Sequence, residues 1–192
     1  MPNHITNKVK VIGTDEQIQE VFEFIKNDTL GIGTIDFNKI TPMPKWVYGN
    51  SPGIVGISFD DEKLWGVENT VLGWSRKHWG TKWNAYGQPD DRNSKDTIFF
   101  ETAWNGIPNL IQKLAWIFSM VKIEYSFADE DTGSSNCGFY CFEYDKINEQ
   151  REYELCSKEA YELAFELVHN GEMPDWYIFN PETNTYEHVE GD

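Results

Sequence analysis

Cysteine is scarce in this chain, with only Cys137, Cys141 and Cys156 among 192 residues. An odd number without a paired framework excludes a disulfide-built scaffold and fits a reducing compartment. Long apolar runs are missing too. None approaches the roughly 18 residues a membrane span needs, so no membrane partner is expected. The opening MPNHITNKVK lacks a charged-then-apolar signal pattern, and the expected location is the cytoplasm.

Catalytic and metal-binding patterns are equally thin. The histidines His4, His78, His169 and His188 form neither HxxxH nor HExxH, so a metallohydrolase has no support. Cys137 and Cys141 lie four apart in CGFYC, a strand-like segment in which both share a face. With no CxxC or histidine pair nearby, they read as small core residues rather than zinc ligands. No Gly-x-Ser-x-Gly nucleophile motif occurs. The GIG of Gly31 to Gly33 follows a helical pattern rather than a strand, the wrong context for a phosphate loop. Asp129, Glu130 and Asp131 are adjacent carboxylates. Gly133 follows too early for a calcium loop, and an acidic hairpin tip is the simpler reading. The sequence therefore predicts no catalytic residue, no metal and no cofactor.

Positive charge is the third scarcity. The chain carries 32 acidic and 16 basic residues, a net charge of −16. Residues 1–123 are nearly balanced, with 14 acidic and 13 basic, whereas residues 124–192 hold 18 acidic and 3 basic. Such a surface repels phosphate backbones and attracts basic partners. A solubility surface is the plainer alternative.

Aromatic and apolar content are ample, at 15% and 40%, enough to offset the entropy of ordering one domain. Residues 5–12, ITNKVKVI, alternate as a half-buried strand with Val9 and Val11 on one face. TDEQ is a capping box, with Thr14 at N-cap and Gln17 at N3. Ile18, Val21, Phe22 and Ile25 then recur at helical spacing, giving a helix over 15–26. A second short strand is expected around 35–40, closed by Pro42 and Pro44. Residues 45–66 read as loop, with Gly49, Pro52, Gly53 and Gly56, and 67–79 as a helix of moderate pattern.

A strand over 97–104, a helix opened by Pro108 in its favoured first-turn position, and strands from VKIEYSFAD and CGFYCFEYD complete the core. Ser157 caps a helix to His169, and WYIFNPETNTYEHVE closes as a hairpin turning near 181–184. The expected class is α+β, a ferredoxin-like split βαβ sandwich with an inserted helix and loop segment and a C-terminal helix plus hairpin. Residues 1–150 form the ferredoxin-like domain, with an insertion at about 45–95, and 151–192 form an acidic helix and hairpin packed on it.

PNHITNKVKVIG, IDFNKITPMP, WGTKWNAYG, FFETAW, IEYSF and GFYCFEYD occur in that order. Together they resemble the YubB ferredoxin-like family of phage- and plasmid-borne proteins, over residues 1–145, with WGTKWNA the most specific piece. The resemblance implies a ferredoxin-like fold and a setting on a mobile element. It supplies no catalytic residues, because members of that family are largely of unknown function.

Two surfaces stand out. On the last helix Glu159, Glu162 and Glu166 line up on the exposed arc. With Asp129, Glu130 and Asp131 they are the expected surface for a basic protein partner, and their row suggests DNA mimicry or an anti-defence role. The alternative is the aromatic run Trp74, Trp79, Trp83, Tyr86 and Trp104, with Arg76, Lys77, Lys82 and His78 nearby. Exposed aromatics on a ferredoxin-like sheet can bind single strands, but the net charge makes nucleic acid the disfavoured partner. The structural reading has WGTKWNAYG crossing the sheet, with buried indoles and with Thr81 and Asn84 satisfying its backbone. An undetected enzyme would place Glu101 beside Trp104, and it needs a second titratable group. Oligomeric state is not written in the sequence.

Overall fold

The computed structural model describes residues 2–47, 63–64, 66–144 and 146–189. Most of the expected 45–66 loop, including Gly49, Pro52, Gly53 and Gly56, lies outside the described residues.

Strand β1 (His4–Ile12) buries every second residue, from Ile5 to Val11. The Thr14–Gln17 capping box is formed and starts α1 (Asp15–Ile25), which buries Ile18, Val21, Phe22 and Ile25. The strand expected at 35–40 is instead one turn of helix, α2 (Phe37–Ile40), N-capped by the Asp36 side chain. The spacing explains the correction. Phe37 and Ile40 are both buried and three apart, which suits one helical turn and not a pleat. After a short 3-10 turn (Val67–Asn69), α3 (Val71–His78) is capped by Thr70.

Strand β2 (Thr97–Ala103) pairs antiparallel with β1, from His4 opposite Ala103 to Lys10 opposite Thr97. Helix α4 (Pro108–Ile117), with Pro at its start, leads to β3 (Lys122–Asp129) on the other side of β1. Since β2 and β3 are both antiparallel to β1, they run parallel to each other with β1 between them. That is a split βαβ unit. Strand β4 (Cys137–Glu143) returns as a hairpin, and β5 (Lys146–Glu152) adds an edge, giving the order β2-β1-β3-β4-β5. The sequence reading had no β5, because all seven of its residues are exposed and no apolar alternation marks it. Helices against an antiparallel sheet with this crossover make the fold α+β and ferredoxin-like.

One sheet face holds the main core. Ile5, Val9, Phe100, Ile123 and Tyr125 meet the apolar sides of α1 and α4, along with Phe37, Trp74 and Trp79. Asn7 is fully buried among them. It is satisfied by the Ile5 carbonyl, the Thr102 hydroxyl and the Tyr125 hydroxyl.

The other face carries a smaller cluster, where Ala128 and Cys137 meet Ala160, Ala164 and Leu167 of α5 (Lys158–Val168). Helix α5 contacts β1, β3 and β4. The hairpin of β6 (Tyr177–Asn180) and β7 (Thr185–His188) then lies on α5 through edge-to-face rings. Ring centroids are 5.4 Å apart for Tyr161–Tyr177 and 5.0 Å for Phe165–Tyr186. Arg92 fastens the helix end. It donates to the Leu167 carbonyl at 2.6 Å, pairs with Asp90 at 2.8 Å, and stacks on Phe99.

Candidate partner-binding surface

Helix α5 positions the acidic row. The Ser157 side chain accepts from the Ala160 N–H, so the helix starts in register with the sheet below. Ala160, Tyr161, Ala164, Phe165 and Leu167 turn inward, and Glu159, Glu162 and Glu166 are left exposed. Between α5 and the uncovered part of the sheet runs a groove of about 440 Å³, with Lys8, Lys10 and Arg151 facing the three glutamates.

The row is not a bare line of charge. Glu166 pairs with Lys8 at 2.7 Å, and Glu162 pairs with Lys158 at 3.4 Å while accepting from the Tyr186 hydroxyl at 3.2 Å. Among the described residues Glu159 has no ion pair. Arg151 is held by Glu149 at 2.9 Å and stacks on Phe139 at 4.3 Å. Such half-exposed pairs are worth little in net stability, about 0–1 kcal/mol each, so an incoming cation can displace them at small cost.

The acidic tip divides. Glu130 and Asp131 are exposed, but Asp129 is only 5% exposed and does not belong to the surface. Its oxygens accept from the Asn3 and Asn136 side chains at 3.1 and 2.9 Å and from the Asp131 N–H at 3.0 Å. A carboxylate followed by a tight turn is drawn in to satisfy turn donors. That is why adjacency in sequence misplaced it.

The aromatic segment is largely structural. Trp79 is buried beside Trp74, and its indole N–H donates to the Thr41 carbonyl at 2.8 Å. Thr81 exchanges hydrogen bonds with the backbone of Ala103, and Asn84 bridges the Phe37 N–H and Asp36. Tyr86 pairs with Glu101 through both backbone groups, so the segment shields the β2 edge. Trp83 and Tyr86 are half-buried. Lys82 lies over Trp83 at 4.6 Å and over Trp104 at 4.9 Å, and Arg76 lies over Trp104 at 4.6 Å. His78 stacks on Trp74 at 4.5 Å, and burial, helped by Lys77, pushes its pKa down.

One cluster went unread in the sequence. His4 Nδ1 lies 2.8 Å from the Tyr86 hydroxyl and 3.3 Å from Glu101 Oε2. Burial, reinforced by Glu101 and Glu130, holds the Tyr86 phenol well above its ordinary pKa. Neutral imidazole can accept from the tyrosine at Nδ1, and a proton there can be donated to Glu101 instead. The pairing of β1 with β2 and the Tyr86–Glu101 backbone bridge bring these residues together, and no local motif signals it.

Both cysteines of CGFYC are buried, and the Cys137 thiol is pushed up to about 11, chiefly by burial with Asp129 adding to it. Among the described residues no group of three metal-ligating side chains occurs, and no helix is long and apolar enough to cross a membrane. No curated protein and no solved structure matches this chain. Residues 82–171, which carry β2 to β5, the crossover helix α4 and α5, match the family model described as a ferredoxin-like domain in Api92-like protein.

Proposed function

We propose that this chain is a non-catalytic interaction protein, an accessory of a phage or plasmid in the YubB group it resembles, whose acidic C-terminal surface engages a basic partner. One observation carries the reading. From Glu159 to Glu187 every acidic side chain is exposed, and the stretch contains no lysine or arginine. Cationic groups from outside are steered toward that surface by its net negative field. DNA mimicry or an anti-defence role is the sharp form. It requires the partner to displace Lys8 from Glu166 and Lys158 from Glu162.

The test is a pull-down from host lysate with the parent chain and with the Glu159→Lys, Glu162→Lys, Glu166→Lys variant. Basic or nucleic-acid-associated proteins should be retained by the parent and lost by the variant. Retention that ignores the reversal would remove the proposal.

A second reading has one observation in its favour. Glu101 is half-exposed and has His4 and Tyr86 beside it, the titratable neighbours an acid–base enzyme would require. The nucleic-acid reading is weaker on the same ground of geometry, because Lys82 and Arg76 already occupy the ring faces of Trp83 and Trp104.

A further inference from the structure

The tail hairpin leaves apolar side chains exposed at the open end of its outer face. Residues directly opposite on paired strands share a face. Tyr177 with His188 and Phe179 with Tyr186 make the inner face, and Tyr177 and Tyr186 meet Tyr161 and Phe165 edge-on. Ile178, opposite Glu187, makes the outer face, and Trp176 and Val189 extend it through a 2.7 Å backbone hydrogen bond. Ile178 is 57% exposed, Trp176 51% and Val189 43%. Trp176 meets His169 edge-on.

Asn180, Thr185 and Glu187 share the outer face with Ile178, so the apolar patch is confined to Trp176, Ile178 and Val189. A two-stranded ribbon gains little by itself from exposing tryptophan, isoleucine and valine together, and contiguous patches of this kind mark interaction sites.

The rim decides what can sit there. Asp175 adjoins Trp176 and Glu187 lies opposite Ile178, both exposed. Lys158 lies over Phe179 on the inner face, and no lysine or arginine follows it in the sequence. A second copy of the chain would bring like charges face to face, which is costly at a contact. An anionic lipid surface would be repelled for the same reason. Charge complementarity leaves a cationic segment with an apolar side.

We propose that the outer face of the hairpin seats a basic amphipathic segment of a partner protein. Its apolar side chains rest on Trp176, Ile178 and Val189, and its lysines or arginines meet the acidic rim. The inference rests on the acidic-surface reading and adds to it where the partner is anchored and why it must be amphipathic rather than merely basic.

The test titrates the full chain against three synthetic peptides by fluorescence anisotropy: alternating Leu/Lys, its Leu/Glu counterpart, and a Lys/Ser peptide of equal charge. The Leu/Lys peptide should bind, the Leu/Glu peptide should not, and Lys/Ser should bind more weakly. The Trp176→Ser, Ile178→Thr variant changes exposed positions only, and circular dichroism checks its fold. It should weaken Leu/Lys binding by about tenfold or more, as loss of an apolar anchor does, and leave Lys/Ser binding unchanged.

If that variant binds Leu/Lys as well as the parent, the hairpin inference is wrong. If the α5 charge reversal alone then weakens binding, the acidic-surface reading survives without it. The reverse pattern, with the hairpin variant weakened and the reversal neutral, supports the hairpin and removes the α5 row. A parent that binds none of the peptides sinks both. Sedimentation showing a dimer that Trp176→Ser dissolves would assign the face to a second copy and overturn the proposal.

Discussion

The Tyr125 hydroxyl donates to Asn7 Oδ1 at 2.6 Å in the fully buried centre of the sheet, and it also accepts from the Ile107 N–H at 2.7 Å. One phenol thus ties β1, β3 and the entrance to α4 into a closed polar network. Its burial keeps the hydroxyl protonated far above the ordinary tyrosine pKa. Tyr125→Phe keeps the ring but strands an amide oxygen and a backbone N–H. The expected loss is about 1–3 kcal/mol for each of the two groups left unsatisfied. Urea denaturation should show a lower midpoint with an unchanged slope.

Gly133 sits at φ +86°, and a Cβ there would come within 2.6 Å of the Tyr161 ring. Gly31 has a similar φ of +89° with nothing within 4 Å. Gly31→Ala should cost only the backbone strain, about 1–2 kcal/mol. Gly133→Ala should cost more, because α5 must shift off the sheet. Hydrogen exchange of the α5 amides should quicken in Gly133→Ala and stay unchanged in Gly31→Ala.

The three thiols should separate by reactivity. Cys156 is exposed, whereas Cys137 and Cys141 are buried, and thiolate is the reacting form. With its thiol pushed up to about 11, Cys137 is doubly protected at neutral pH. Alkylation of the native chain should give one fast adduct, mapped to Cys156 by mass spectrometry. The other two adducts should appear only in denaturant. Fast labelling of Cys137 would mean that α5 does not stay docked.

Burial lowers the pKa of His169, whose Nε2 lies 3.0 Å from the Thr132 hydroxyl. The folded value is thus below the unfolded one, so the unfolded chain binds a proton first as the pH drops. The contribution is complete above the unfolded value of about 6.5. It is lost as the pH falls from there through the folded value. His78 is shifted in the same direction. Midpoints in urea should fall over this range, and His169→Gln should flatten the slope.

Where neighbouring residues alone set the structure, the sequence was readable. Val9 and Val11 alternate, Thr14 and Gln17 form their box, Pro108 starts α4 and Ser157 starts α5. Failures came where distant groups decide. The single turn at 37–40 is too short to show a helical period, and the Asn84 amide that seats its Phe37 N–H comes from the distant insertion. Strand β5 is held by backbone pairing to β4, which leaves no mark on side-chain pattern. Asp129 looked like part of a solvated tip until Asn3 and Asn136 drew it inward. The row of α5 was legible as a face, but its pairing with Lys8 depends on a residue 158 positions earlier.

Arg92 has a wider meaning for the acidic end of the chain. The last turn of α5 has no basic residue of its own, and the carbonyls there carry the negative end of the helix dipole. The cation that reaches them comes from a loop 75 residues upstream. Residues 151–192 are therefore not a portable module. Expressed as a fragment, they would lose the Arg92 guanidinium along with the sheet and keep only Arg151 and Lys158 against their many carboxylates. Whatever this segment binds, it binds as an outgrowth of the whole fold.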